Sequence, residues 1–299
     1  MAAREALPPG TGLGTRLGRF LRGVSTLRNW MGLGGAKLGF HIPYRWAGSL
    51  PPFTQDDRYE WLKKAWDADR APFDYTLSLI KKYLDRLADF ATADPGNVDR
   101  PRFDQDWFPG LDGAAAYALV RELSPARIIE IGSGHSTRFM AQAIRDGGLA
   151  TCLTSIDPVP RRGIDHLCDE VVRTTLDKVD FAVFSELSAG DILFFDGSHI
   201  GMPGSDADTL FNRVLPTLAP GVWVHVHDIF LPNGYPDIWE WRGYNEQLLA
   251  ASLLAGGDRF RVCFASAYVR RYMGQAVADW PIPLPAQAFE ASLWLEKTT

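Results

Sequence analysis

Two groups of residues in this sequence could do chemistry. The first is Glu130-Ile131-Gly132-Ser133-Gly134 together with Asp157. Glycines two apart let a chain turn sharply and let a ligand come close to main-chain atoms. An acid at the tip of the following strand can accept hydrogen bonds from both hydroxyls of a ribose. The combination points to a nucleotide site, although a tight strand-to-helix turn accounts for the glycines alone and a turn before Pro158 for Asp157 alone. The dinucleotide fingerprint needs a third glycine at position 137, where Thr137 stands, and this disfavours an NAD-dependent dehydrogenase. The second group is Asp196-Gly197-Ser198-His199 with His227-Asp228. Two carboxylates and two imidazoles gathered in one crevice could bind a divalent cation, oxygen ligands suiting magnesium and imidazole suiting later metals. An imidazole near its ordinary pKa of about 6.5 can also take a proton from a hydroxyl. Aspartates at strand ends cap turns as well, and His225 reads as a core histidine. Asp206 and Asp208, near a helix start, read as caps.

The elements that must position these groups alternate from Ala126 onward. Apolar runs predict strands at 126–131, 151–157, 171–174, 191–196, 222–227, 260–266 and 291–295, and helical spacing predicts helices at 136–145, 179–187, 206–218 and 243–254. Ser136 is the expected cap of the first of these helices. Strand–helix alternation means a parallel sheet covered by helices on both faces, with ligands beyond the C-terminal strand ends. Both reactive groups fall at such ends. The period of two along a strand sets His227 and Asp228 on opposite faces unless the strand has already ended.

RIIEIGSGHST resembles the first motif of class I S-adenosylmethionine-dependent methyltransferases, and Ser155-Ile156-Asp157 the acidic motif after it. DILFFDGSH, LPTLAPG and VWVHVHDIF extend the likeness, over about Phe108–Leu295, to the branch of macrocin O-methyltransferase-like enzymes. That resemblance implies a Rossmann-like doubly wound α/β sheet of seven strands, the last antiparallel. It implies cofactor contacts at Glu130, Gly132, Gly134 and Asp157, metal ligation by Asp196 and Asp228, and His199 as general base. The sequence departs from the family at His227, which replaces the first of two consecutive acids. With His227 as the third ligand a complete three-acid magnesium site is not expected, and the site is left to prefer manganese or another metal, to bind weakly, or to bind none. The implied reaction is methyl transfer from S-adenosylmethionine to a hydroxyl of a small acceptor, such as a sugar, phenol or polyketide, with or without assistance from a metal. A hydroxylase-like protein on the same fold, and a cofactor-binding protein without catalysis, are the alternatives.

The remainder of the chain sets bounds. Residues 1–45 carry Arg4, Arg16, Arg19, Arg22, Arg28, Lys37 and Arg45 against one acid, Glu5, and nine glycines break the segment, which predicts a loosely ordered basic arm. Residues 46–110 form a helical accessory segment, with apolar faces over 56–69 and 73–90 and a loop at 91–106, leaving 111–299 as the methyltransferase-type domain. A helix is expected over 113–123. A net charge of −5 speaks against nucleic-acid binding through bulk charge. No apolar run approaches the roughly 20 residues of a membrane span. Cys152, Cys168 and Cys263 lack metal spacing and read as buried thiols of a cytoplasmic protein, for which homo-oligomers remain compatible. The aromatic stretch with Tyr235, Trp239, Trp241 and Tyr244 is either a lid over an acceptor or packing against the helical segment.

Overall fold

In the computed structural model of the chain, the described residues are 59–94, 97, 99–160 and 163–299, a short piece at 44–50, and positions 24 and 27. Most of the basic segment therefore lies outside the described residues. The chain divides into two compact units: Asp57–Asn233 with Asn245–Thr299, and a smaller one that includes Gly234–Tyr244.

The larger unit is built on a seven-stranded sheet: β1 Arg127–Ile131, β2 Cys152–Ile156, β3 Glu170–Val172, β4 Ile192–Phe195, β5 Trp223–Val226, β6 Phe260–Ala265 and β7 Leu293–Lys297. The strand order is β3-β2-β1-β4-β5-β7-β6. The first five strands are parallel, and β7 runs antiparallel to both β5 and β6. This is the methyltransferase-like Rossmann arrangement, with the last strand reversed as expected. β4 is buried throughout and β1 from Ile128 onward, as central parallel strands must be when helices cover both faces. The winding direction reverses between β1 and β4, so their C-terminal tips flank the crevice in which such folds bind ligands.

The helices are α1 Glu60–Ala68, α2 Ala71–Lys81, α3 Leu84–Ala88, α4 Gly110–Leu123, α5 His135–Gly147, α6 Asp206–Thr209, α7 Glu246–Ala255 and α8 Ser266–Tyr272. The apolar face expected over 73–90 belongs to two helices. At the end of α2, Lys82 and Tyr83 donate to Leu79 and Ile80, three residues back, which tightens the last turn. Tyr83 leaves the helix to donate its hydroxyl to Glu122 at 2.8 Å. The segment expected as a helix at 179–187 is instead 3-10, over Phe181–Glu186, with Asp180 capping it through the Ala182 N–H. The run from Asp206 stays helical but passes from α through a π turn at Leu210–Val214 to 3-10 at Leu215–Thr217, where Pro216 lacks the N–H to continue. α8 was not expected. It is short, and it packs Tyr268 against Trp66 of α1 and Phe73 of α2, with centroids 5.1 and 4.9 Å away. Ser136 lies inside α5 and does not cap it. The parallel strands end early enough that Asp157, Asp196, His227 and Asp228 all lie beyond them, free of the strand's alternation.

Candidate active site

The loop after β1 is shaped by a close approach. Gly132 has φ +77°, and a Cβ there would lie 1.9 Å from the carbonyl oxygen of Asp196 at the tip of β4. Only glycine lets these two tips meet. Gly134 differs: a Cβ on it would meet nothing within 4 Å. The fold makes no demand for glycine there, and the open space beside its backbone is room for a ligand.

Glu130 is fully buried and accepts hydrogen bonds from Ser136 Oγ and Thr137 Oγ1, each at 2.6 Å. Thr137 Oγ1 in turn accepts from the Gly134 N–H at 2.9 Å. The residue that replaces the third fingerprint glycine is thus a relay that ties loop, helix and strand together. Burial drives the Glu130 carboxyl up to about 8, and the two hydroxyls pull it back only partly. Asp157 at the β2 tip faces the same loop. One of its oxygens accepts from Ser133 N and Oγ at 3.0 and 3.1 Å, and the other from Val159 N at 2.8 Å. The four residues expected to contact a cofactor thus surround one loop, with Gly134 and Asp157 at its open side and Glu130 beneath it.

The second group assembles at the β4 and β5 tips. Asp206 holds the Asp196–His199 turn by accepting from Ser198 N at 2.7 Å and from Ser198 Oγ. The helix cap is Ser205, whose Oγ accepts from Asp208 N at 3.1 Å, while Asp208 accepts from Gly204 N at 2.8 Å. His199 and Asp228 are non-glycine residues at φ +63° and +56°. Such conformations persist only where surroundings hold them, and they cluster at functional sites. His199 Nε2 lies 3.4 Å from Asp196 Oδ1 and 3.3 Å from Asp228 Oδ2. His227 Nδ1 lies 3.6 Å from Asp196 Oδ1 and 3.5 Å from Asp228 Oδ1. Each imidazole turns its other nitrogen to a fully buried carboxylate: His199 Nδ1 to Glu246 Oε1, and His227 Nε2 to Asp112 Oδ2 at 3.3 Å.

Sequence reading missed Asp112 and Glu246. Asp112 left a trace, because it is the one charged residue in the otherwise apolar run 110–120. Glu246 left none; an acid in a helix's first turn is ordinary.

Charge in this cluster is mutually compensated. Burial pulls both imidazoliums down, but the neighbouring carboxylates outweigh it. Glu246, Asp228 and Asp196 hold His199 well above 6.5, and Asp196, Asp228 and Asp112 do the same for His227. Asp196, opposed by burial but facing both rings, stays far below the usual carboxylate range. Burial pushes Glu246 up to about 7. His225 stands apart. It is fully buried, stacked on Phe194 at 3.7 Å and bonded through Nε2 to Ser292 Oγ at 2.8 Å, and burial keeps it neutral, a core histidine as expected.

The donor chemistry at Asp196, Asp228 and His227 is that expected of a metal site, but the disposition is not. Among the described residues no three His, Cys, Asp or Glu side chains are arranged to hold a metal ion. The carboxylate oxygens and the ring nitrogens lie 3.3–3.6 Å apart, and each of the two carboxylates faces both rings.

In the smaller unit the Arg242 guanidinium lies 4.1 Å from the ring centre of Trp239 and 5.3 Å from that of Tyr244, whose ring also meets Tyr235. This stretch is a cation–π cluster in its own right. Among the described residues no helix is long and apolar enough to cross a membrane.

Residues 129–229, about a third of the chain, match a family model described as a methyltransferase domain. No curated protein matches the chain. Similar solved structures include an S-adenosylhomocysteine-bound methyltransferase, PaMTH1, of Podospora anserina, at 15% identity over 88% of this chain and 100% of that one, TM-score 0.41. An O-methyltransferase from Bacillus cereus, also with S-adenosylhomocysteine, is 15% identical over 82% and 98%, TM-score 0.38. The MycE methyltransferase of mycinamycin biosynthesis, with magnesium, S-adenosylhomocysteine and mycinamycin VI, is 16% identical over 60% and 47%, TM-score 0.36.

Proposed function

We propose that this chain transfers a methyl group from S-adenosylmethionine to a hydroxyl of a small acceptor, with His199 removing the hydroxyl proton. The observation that carries this reading is the direct contact between the two tips: Gly132 of the cofactor loop abuts the Asp196 backbone, three residues before His199. The matched methyltransferase-domain segment, 129–229, contains both tips.

The cofactor supplies an electrophilic methyl group. The chain's own work is to bind, orient and deprotonate. Gly134 and Asp157 line the open side of the loop, Asp157 with carboxylate oxygens suited to ribose hydroxyls. Gly132 and Glu130 act beneath it, one permitting the turn and the other fixing it through Thr137. On the acceptor side His199 Nε2 faces the crevice between Asp196 and Asp228 and receives the proton. His227 faces the same two carboxylates, and in this reading its proton and that of His199 balance Asp196 and Asp228 in place of a cation.

Calorimetric titration tests the reading. S-adenosylmethionine and its demethylated product should each bind at one site, and NAD should give no heat. Transfer of labelled methyl to a panel of sugar, phenol and polyketide hydroxyls should follow, at a rate insensitive to EDTA. Tight NAD binding without a response to S-adenosylmethionine would falsify the proposal, and loss of transfer on chelation would restore the metal.

A further inference from the structure

We propose that Glu246, at the first position of α7, is the positioning residue of His199, fixing the ring so that Nε2 is its reactive nitrogen. Glu246 approaches from 47 residues away in sequence and holds the histidine at two points. Its carboxylate pairs with His199 Nδ1, while its own N–H and that of Asn245 donate to the His199 carbonyl at 3.4 and 3.0 Å. The Asn245 side chain adds a third tie by accepting from the Gly201 N–H, at the end of the same turn. Together these contacts hold His199 in its left-handed conformation.

The carboxylate is costly where it stands. It is fully buried, and its second oxygen, Oε2, has no hydrogen-bond partner. A buried charge of this kind is poor value as packing, because an apolar side chain of similar size usually serves stability as well or better. Its one accepted bond does something an apolar group cannot do. With Nδ1–H committed to Glu246, the neutral ring must carry its lone pair on Nε2, which lies between Asp196 and Asp228 at 3.4 and 3.3 Å. A carboxylate that orients an imidazole and fixes its tautomer is a recurrent element of acid–base catalysis.

The test has two arms. The first uses the full chain with 15N-labelled histidine at alkaline pH, where the ring is neutral, without cofactor or acceptor; His199 is assigned by the loss of its signals in His199→Asn. The Nδ1–H tautomer is expected in the native protein and in Glu246→Gln, which keeps an accepting oxygen, with a mixture of tautomers in Glu246→Leu. The second arm rests on the methyl-transfer reading. Glu246→Leu should lower kcat by about 10²–10³-fold with acceptor KM and cofactor affinity within about twofold, while Glu246→Gln should lose less than about tenfold. An Nε2–H tautomer in the native ring, or full kcat in Glu246→Leu, overturns the proposal. If no acceptor is ever methylated the functional reading fails, and the tautomer measurement still decides this one.

Discussion

At the scale of the residue, His199 is defined by what surrounds it. Three carboxylates hold its imidazolium well above 6.5 against the effect of burial, so the ring is a stronger base than a free histidine. If it takes the acceptor's proton, turnover must rise with pH as the ring loses its own. The acidic limb of kcat should therefore lie above pH 6.5, and His199→Ala should abolish that limb and lower kcat by about 10²–10⁴-fold with cofactor affinity unchanged. A limb at or below pH 6.5 would refute the assignment. Asp157 is separable from this chemistry. Asp157→Ala should weaken S-adenosylmethionine binding by about 1.5–3 kcal/mol, the range for a hydrogen bond to a charged group, as read by titration at fixed pH. An unchanged affinity would leave Asp157 only as the anchor of Ser133 N and Oγ. Gly132 and Asp157 were legible as turn residues because turn chemistry is local, whereas the open space at Gly134 is no requirement of the turn. Whether Glu130 touches a ligand or braces a loop was not, since that depends on the hydroxyls of Ser136 and Thr137 reaching back one helical turn.

At the scale of the element, the strands announced themselves through apolar runs, because a strand covered on both faces leaves almost no polar position. Their exact ends did not, and the ends decide the site. One residue more of β5 would send His227 and Asp228 to opposite faces. The left-handed turns at His199 and Asp228 leave no glycine signature because tertiary contacts enforce them. The braces are more distant still: Asp112 meets His227 across 115 residues. Asp112 also accepts from the Ala291 and Ser292 N–H groups at 3.0 Å and from Ser266 Oγ, so α4, the start of α8, the approach to β7 and the end of β5 share one carboxylate. Asp112→Ala leaves buried donors and an imidazolium without an acceptor, and should cost about 3–5 kcal/mol in urea unfolding. A loss below about 1 kcal/mol would mean that the surrounding donors find other partners.

At the scale of the molecule, the buried titratable groups leave a signature in how stability follows pH. Glu130 is pushed up to about 8 and Glu246 to about 7, while His199 and His227 sit well above 6.5. For each of these groups the folded state binds a proton more tightly than the unfolded chain. Their contribution is therefore fully present below the unfolded pKa and is lost as pH rises through the folded one. His225, held neutral by burial, works in the opposite sense, but only below its unfolded value of about 6.5. Asp196 and Asp67, both lowered, add stability that is withdrawn only in strong acid. Between about pH 6.5 and 8 Glu130 and the two imidazoles act together, with Glu246 adding to them only up to about pH 7, so Tm should fall across that interval. Glu130 can be isolated within the sum, because its side-chain hydrogen bonds run to Ser136 and Thr137 and not to the imidazoles. Glu130→Gln keeps the side chain's size and an accepting oxygen while removing the titration. It should flatten the fall in Tm between pH 6.5 and 8 and raise stability at pH 8 relative to the parent chain. A parallel downward shift of the whole curve, with its slope unchanged, would mean that Glu130 keeps its charge in the fold and that the two hydroxyls, Ser136 and Thr137, offset its burial after all.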